Sequence, residues 1–163
     1  MTRRRALGLL LLVGLALGPG GLRRARAAGL GRITPGESTR RDVEAEYGKP
    51  SRDAAVVQEG RTVAEWTYAA DRAPKGFKRM VVAFGLFREG QFRPDLVRAV
   101  TFYPEAGVFT LAALTNGWGE PVATATDVST GRTILRYDGG PLVALDRTGR
   151  WAEVMTFPPA PPR

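Results

Sequence analysis

The stretch ITPGESTRRDVEAEYGKP, residues 33–50, carries its own start and stop signals. Ser38 or Thr39 can cap a helix N-terminus, and Asp42 stands three residues after Thr39 in a capping-box position. Val43 and Tyr47 are spaced i, i+4 and share one face of the helix. Gly48 suits the left-handed residue that follows a last turn, and Pro50 blocks continuation. Residues 107–121, GVFTLAALTNGWGEP, repeat the phrase: Leu111, Leu114 and Trp118 form the stripe, and Gly119 and Pro121 end it.

A shift of 71 positions extends the match. Tyr47-Gly48-Lys49-Pro50 meets Trp118-Gly119-Glu120-Pro121, Gly60-Arg61-Thr62-Val63 meets Gly131-Arg132-Thr133-Ile134, and Trp66 meets Tyr137. With a shorter offset, Val82-Ala83 meets Val143-Ala144 and Val100-Thr101-Phe102 meets Met155-Thr156-Phe157. Residues 61–68 alternate, placing Ala64, Trp66 and Tyr68 on one face and Val63, Glu65 and Thr67 on the other. Residues 79–87 and 96–103 read as further strands, 51–58 and 122–128 as additional ones, and Glu59-Gly60 and Asp138-Gly139-Gly140 as turns. The expected fold class is therefore α+β: two tandem repeats, residues 33–104 and 105–159, each a short helix or helix pair followed by a three- or four-stranded antiparallel sheet. Residues 157–163 are too rich in proline for regular structure.

The net charge of +8 is concentrated at the front. Six arginines and no acid lie in residues 1–27, so the 24 basic residues fall to 18 without them, against 16 acids. That balance of +2 argues against a nucleic-acid partner, which requires a basic footprint on the folded part. Residues 1–27 have the layout of a signal peptide: Arg3 to Arg5, an apolar run of twelve ending at Leu17, and Ala25-Arg26-Ala27 as a cleavage site. Residues 28–32 would link it to the first repeat. The run is shorter than the roughly 20 residues that span a bilayer, so membrane contact is expected only if the leader is retained. The arginine run also fits twin-arginine export. The expected location is periplasmic or secreted.

The chain has no cysteine and no histidine. Disulfides, an acylated cysteine, thiol nucleophiles and most zinc sites are excluded by composition. Glu37, Asp42, Glu44 and Glu46 crowd one helix, where acids near the first turn and an Arg40–Glu44 pair account for them. We expect no enzyme and no cofactor.

The pattern Gly36, Thr39, Val43, Tyr47-Gly48-Lys49-Pro50 and Trp66-Thr67-Tyr68 resembles the SmpA/OmlA domain of BamE-type outer-membrane assembly proteins. The paired arrangement is similar to β-lactamase inhibitor protein. The resemblance implies a small exported module that binds another protein of the cell envelope, as a monomer or weak oligomer. The alternative is a small-ligand or peptidoglycan-binding envelope protein. The candidate contact residues lie in segments 69–78 and 87–94: Arg72, Phe77, Phe87, Arg88, Phe92 and Arg93. Aromatics beside arginine are enriched at binding hot spots, although the phenylalanines also suit the rim of a core. Trp66, Tyr68, Tyr47 and Trp118 read as core anchors or, as in the inhibitor proteins, as a displayed sheet face.

Overall fold

A computed structural model describes residues 31–160. The expected signal peptide, most of the linker and the last three residues of the tail lie outside the described residues. The elements run α1 (Arg40–Tyr47), β1 (Arg52–Gln58), β2 (Arg61–Ala69), β3 (Phe77–Arg88), β4 (Gln91–Pro104), α2 (Leu111–Trp118), β5 (Ala123–Thr126), β6 (Thr133–Arg136), β7 (Leu142–Leu145) and β8 (Ala152–Phe157). A 3-10 turn, Ala70–Arg72, precedes β3.

All eight strands belong to one antiparallel sheet, in the order β1-β2-β3-β4-β8-β7-β6-β5. This overturns the expected α+β class of tandem helix-plus-sheet repeats: the strands form one sheet, and the helices are two short ones. Val100, Thr101 and Phe102 of β4 pair with Phe157, Thr156 and Met155 of β8. The pairing removes the two edges that separate sheets would expose. Unpaired backbone groups and open edges are costly, and fusion satisfies both. The helices are minor partners, eight residues each, and each buries one residue fully, Val43 or Leu114.

The helix ends follow from local chemistry. At α1 the Thr39 hydroxyl accepts from the Asp42 backbone N–H, while Asp42 Oδ2 accepts from the Thr39 N–H at 2.7 Å. At α2 Thr110 caps the Ala113 N–H, without an acidic partner. The Glu59-Gly60 turn joins β1 to β2 with both φ angles positive, at 48° and 73°, as a two-residue hairpin requires. Residues 87–94 are mostly strand, because Glu89-Gly90 makes an equally tight turn and Phe87 pairs with Phe92. Phe157, assigned to the tail, ends β8 and is buried.

The core lies on the helix side. Trp66, Tyr68, Met80, Val82, Phe84, Val100, Phe102, Leu135, Val143, Met155 and Phe157 are buried there. Trp66 and Tyr68 are therefore core anchors. The Tyr68 hydroxyl donates to the Gly48 carbonyl at 3.0 Å, tying β2 to the end of α1. Phe157 meets both Phe102 and Trp118 edge-on, at 5.8 and 5.9 Å, across the β4–β8 seam. Near the two ends of the described residues the chain meets itself on this side: a Cβ at Gly36 would stand 3.1 Å from Pro159.

Candidate functional site

Side chains of directly paired residues point to the same face, so the register defines the side opposite the helices. One row crosses the whole sheet there: Arg52, Thr67, Val81, Thr101, Thr156, Leu142, Arg136 and Ala123. Flanking rows add Ala54, Glu65, Ala83 and Ala99 on one side and Ala69, Arg79 and Tyr103 on the other. These residues are half-buried or exposed. Among the described residues, neither helix covers this face. Its floor is small and β-branched, and Thr101 and Thr156 share a hydroxyl hydrogen bond at its centre, 3.3 Å long.

Charge on the face is uneven. Its paired positions carry Arg52, Arg61, Arg79 and Arg136 against the single carboxylate of Glu65. Arg98 and Glu153 occupy bulges in β4 and β8, where the register shifts. Glu153 pairs with Arg132 at 2.9 Å, the one ion pair among the described residues. Two of the face's arginines lean on rings instead. The Arg79 guanidinium lies 3.9 Å from the Tyr103 ring centre, and that of Arg61 lies 5.1 and 5.0 Å from Phe87 and Phe92.

Phe87 and Phe92 face each other at 5.4 Å at one corner of this face. Together with Gln58, Arg61, Val63, Gly85 and Arg98 they line a cavity of about 220 Å³. The corner exists because Gly85 takes φ +87° inside β3, and Val63 and Phe92 close over the place where a Cβ would stand. The Arg98 Nε is buried here without a hydrogen-bond partner.

The six candidate contact residues separate. Phe87 and Phe92 come together at the corner. Arg88 points to the helix side and donates to the Gly36 carbonyl. Arg93 pairs with Leu86 and is exposed. Phe77 stacks on Phe102 and Phe109 at 4.6 and 5.3 Å, as part of the core margin. Arg72 donates to the carbonyls of Lys49 and Pro50, holding the segment after α1. Arg61 and Arg98 were not among the expected residues. Their signals were present: Arg61 alternates with Val63 immediately after a hairpin turn, and a glycine inside a strand marks close approach or a bulge.

The carboxylates are occupied by their own loops. Asp127 accepts from the Ser129 N–H and hydroxyl and from the Thr130 hydroxyl, all within 2.8 Å. Hydrogen bonds from Ser129 and Thr130 outweigh a slight desolvation and hold its carboxyl down at about 2. At Asp146 desolvation pushes upward, but bonds from Thr148, Trp151 and Arg150 prevail and bring it to about 2. Asp42 is lowered by its bonds with Thr39. Burial, with Glu44 and Tyr47 nearby, pushes Tyr68 up to about 12. No group of three or more acids among the described residues is placed to hold a metal ion.

No protein-family model matches the sequence, and no curated protein matches it. Among solved structures, the crystal structure of a DUF4309 family protein, YjgB, from Bacillus subtilis is similar, with 17% identity and a TM-score of 0.50. The likeness covers 78% of this chain and 82% of that one, and at this identity it speaks for the fold alone.

Proposed function

We propose that the protein is an exported, non-enzymatic protein-binding module of the cell envelope, and that it grips its partner with the helix-free face of the sheet. One observation carries this reading: among the described residues the face is broad, uncovered by either helix and floored by small and β-branched side chains, and Arg52, Arg61, Arg79 and Arg136 lack carboxylate partners there. At strand spacings of about 4.8 Å, eight strands extend about 34 Å, and some 20 Å along the strands gives roughly 700 Å². A stable interface buries about 800 Å² per partner. The export reading is supported by the signal-like layout of residues 1–27. The resemblance to SmpA/OmlA domains and to the inhibitor proteins points the same way.

The test is crosslinked capture from the envelope of the native cells with the full chain and two variants. Val81→Glu places a charge in the middle of the face. Val57→Glu does so on the opposite side, where Val57 is 77% exposed. A near-stoichiometric envelope protein that survives Val57→Glu and is lost in a folded Val81→Glu supports the reading. Equal capture by both variants would place the contact elsewhere.

A further inference from the structure

The corner at Gly85 differs from the rest of the open face in having depth, two guanidinium groups and an aromatic wall. We infer that it is a recognition site for an acidic side chain presented next to an apolar or aromatic one on a protein partner. This deepens the docking reading above and rests on it for the identity of the partner, although not for the chemistry of the site.

Three observations converge. The Arg61 guanidinium carbon lies 5.1 and 5.0 Å from the Phe87 and Phe92 ring centres, and the residue is exposed and makes no ion pair among the described residues. A guanidinium of that kind is preorganised for a bidentate carboxylate, because little side-chain freedom is left to lose. Arg98 lines the same cavity from the β4 bulge, and its buried Nε–H has no acceptor. A buried donor without a partner carries a desolvation cost that an incoming carboxylate oxygen removes. Finally, Val63, Phe87 and Phe92 supply an apolar wall beside the two cations. The cavity, at about 220 Å³, lies below the range of about 300–1,000 Å³ typical of drug-sized ligands, and suits one or two side chains.

Among the described residues, no acid is paired with these two guanidinium groups. Glu59 lines the cavity, but it sits in the tight turn at φ 48° and makes no ion pair with Arg61 or Arg98. The two guanidinium groups are therefore open to a carboxylate from a partner. A phosphate backbone would also attract arginines. The wall of two phenylalanines favours a mixed acidic and apolar peptide surface.

The experiment follows the arginine Nε–H signals of the full chain by ¹H–¹⁵N NMR. It uses a nine-residue peptide in which two aspartates flank a phenylalanine, and a matched peptide with lysines in place of the aspartates. The acidic peptide is expected to give saturable shifts of the Arg61 and Arg98 signals, and the basic one none. Arg61→Ala should weaken binding at least tenfold. Arg98→Lys, which keeps the charge and loses the planar fork, should weaken it severalfold, with both variants melting as cooperatively as the parent. Absence of saturable shifts, or unchanged affinity in both variants, overturns the proposal. Tighter binding of a ten-nucleotide single-stranded oligothymidylate at the same signals overturns it in favour of phosphate recognition. The two proposals fail separately. Envelope capture that Val81→Glu abolishes and Arg61→Ala leaves intact rejects the corner and keeps the docking face. Peptide binding without envelope capture does the reverse.

Discussion

Replacing Gly85 by alanine separates two costs that the structure superimposes. The first is conformational: φ is +87°, and an L-residue held in left-handed space loses about 1–2 kcal/mol. The second is steric, since the new methyl would stand 2.6 Å from Val63 Cγ1 and 3.0 Å from Phe92 Cζ. Val63 is a stiff β-branched residue on the neighbouring strand and is almost fully buried, so it yields only by moving backbone. Overpacking of that kind costs about 1–3 kcal/mol, giving a total of about 2–5 kcal/mol. Gly60→Ala is the control, because it has φ +73° with nothing within 4 Å of the added Cβ, and it bears only the first cost. The gain from restricting the unfolded chain is common to both and cancels in the comparison. Urea melts of the full chain should therefore place Gly85→Ala about 1–3 kcal/mol below Gly60→Ala. Val63→Ala combined with Gly85→Ala should recover about 1–2 kcal/mol relative to additivity. Equal destabilisation of the two glycine variants, or strict additivity with Val63→Ala, would refute the claim that close approach of β2 and β3 builds the corner.

Further outcomes can be checked on the same material. Thr39→Ala removes both hydroxyl contacts of the capping box and should cost about 1 kcal/mol, and more than Thr110→Ala, whose cap has no acidic partner; chemical melts decide the order. Phe157→Ala removes the ring that Phe102 and Trp118 share and should cost about 3–5 kcal/mol, with amide exchange accelerating on both sides of the β4–β8 seam. Asp127 and Asp146 titrate lower folded than the usual 3.8, so the stability they add is complete above about 4 and is lost as the pH falls towards about 2. The variant with both aspartates changed to alanine should show a flatter decline of melting temperature across that interval. Tyr68 is raised, so its contribution is complete below pH 10 and disappears towards 12; an ultraviolet titration should show one tyrosine ionising last, and Tyr68→Phe should remove that step.

The ends of α1 were legible because Thr39, Asp42, Gly48 and Pro50 act within a few residues of one another. The faces of β2 were legible for the same reason: strict alternation puts Trp66 and Tyr68 on one side without any knowledge of neighbours. The likeness of Val100-Thr101-Phe102 to Met155-Thr156-Phe157 was also visible. That the two segments are hydrogen-bonded neighbours was not, since nothing local distinguishes a strand at a sheet edge from one at a seam. The error in fold class arose at this point. At the candidate site, Phe87 and Phe92 were nameable from composition, but the arginine that joins them was not. Which of Arg61, Arg88 and Arg93 shares their face depends on strand parity carried across the β3–β4 irregularities at Ala83–Leu86, and a one-residue slip reverses every assignment.

The meeting of Gly36 with Pro159 has a practical geometric meaning. Near both limits of the described residues the chain lies on the side that carries the helices, with Gly36 against Pro159. A fluorophore attached at Pro159 would therefore stand beside Gly36 and Leu86, on the side opposite Phe87 and Phe92. An insertion at the Glu59-Gly60 or Glu89-Gly90 turn would do the opposite, standing at the rim of the corner.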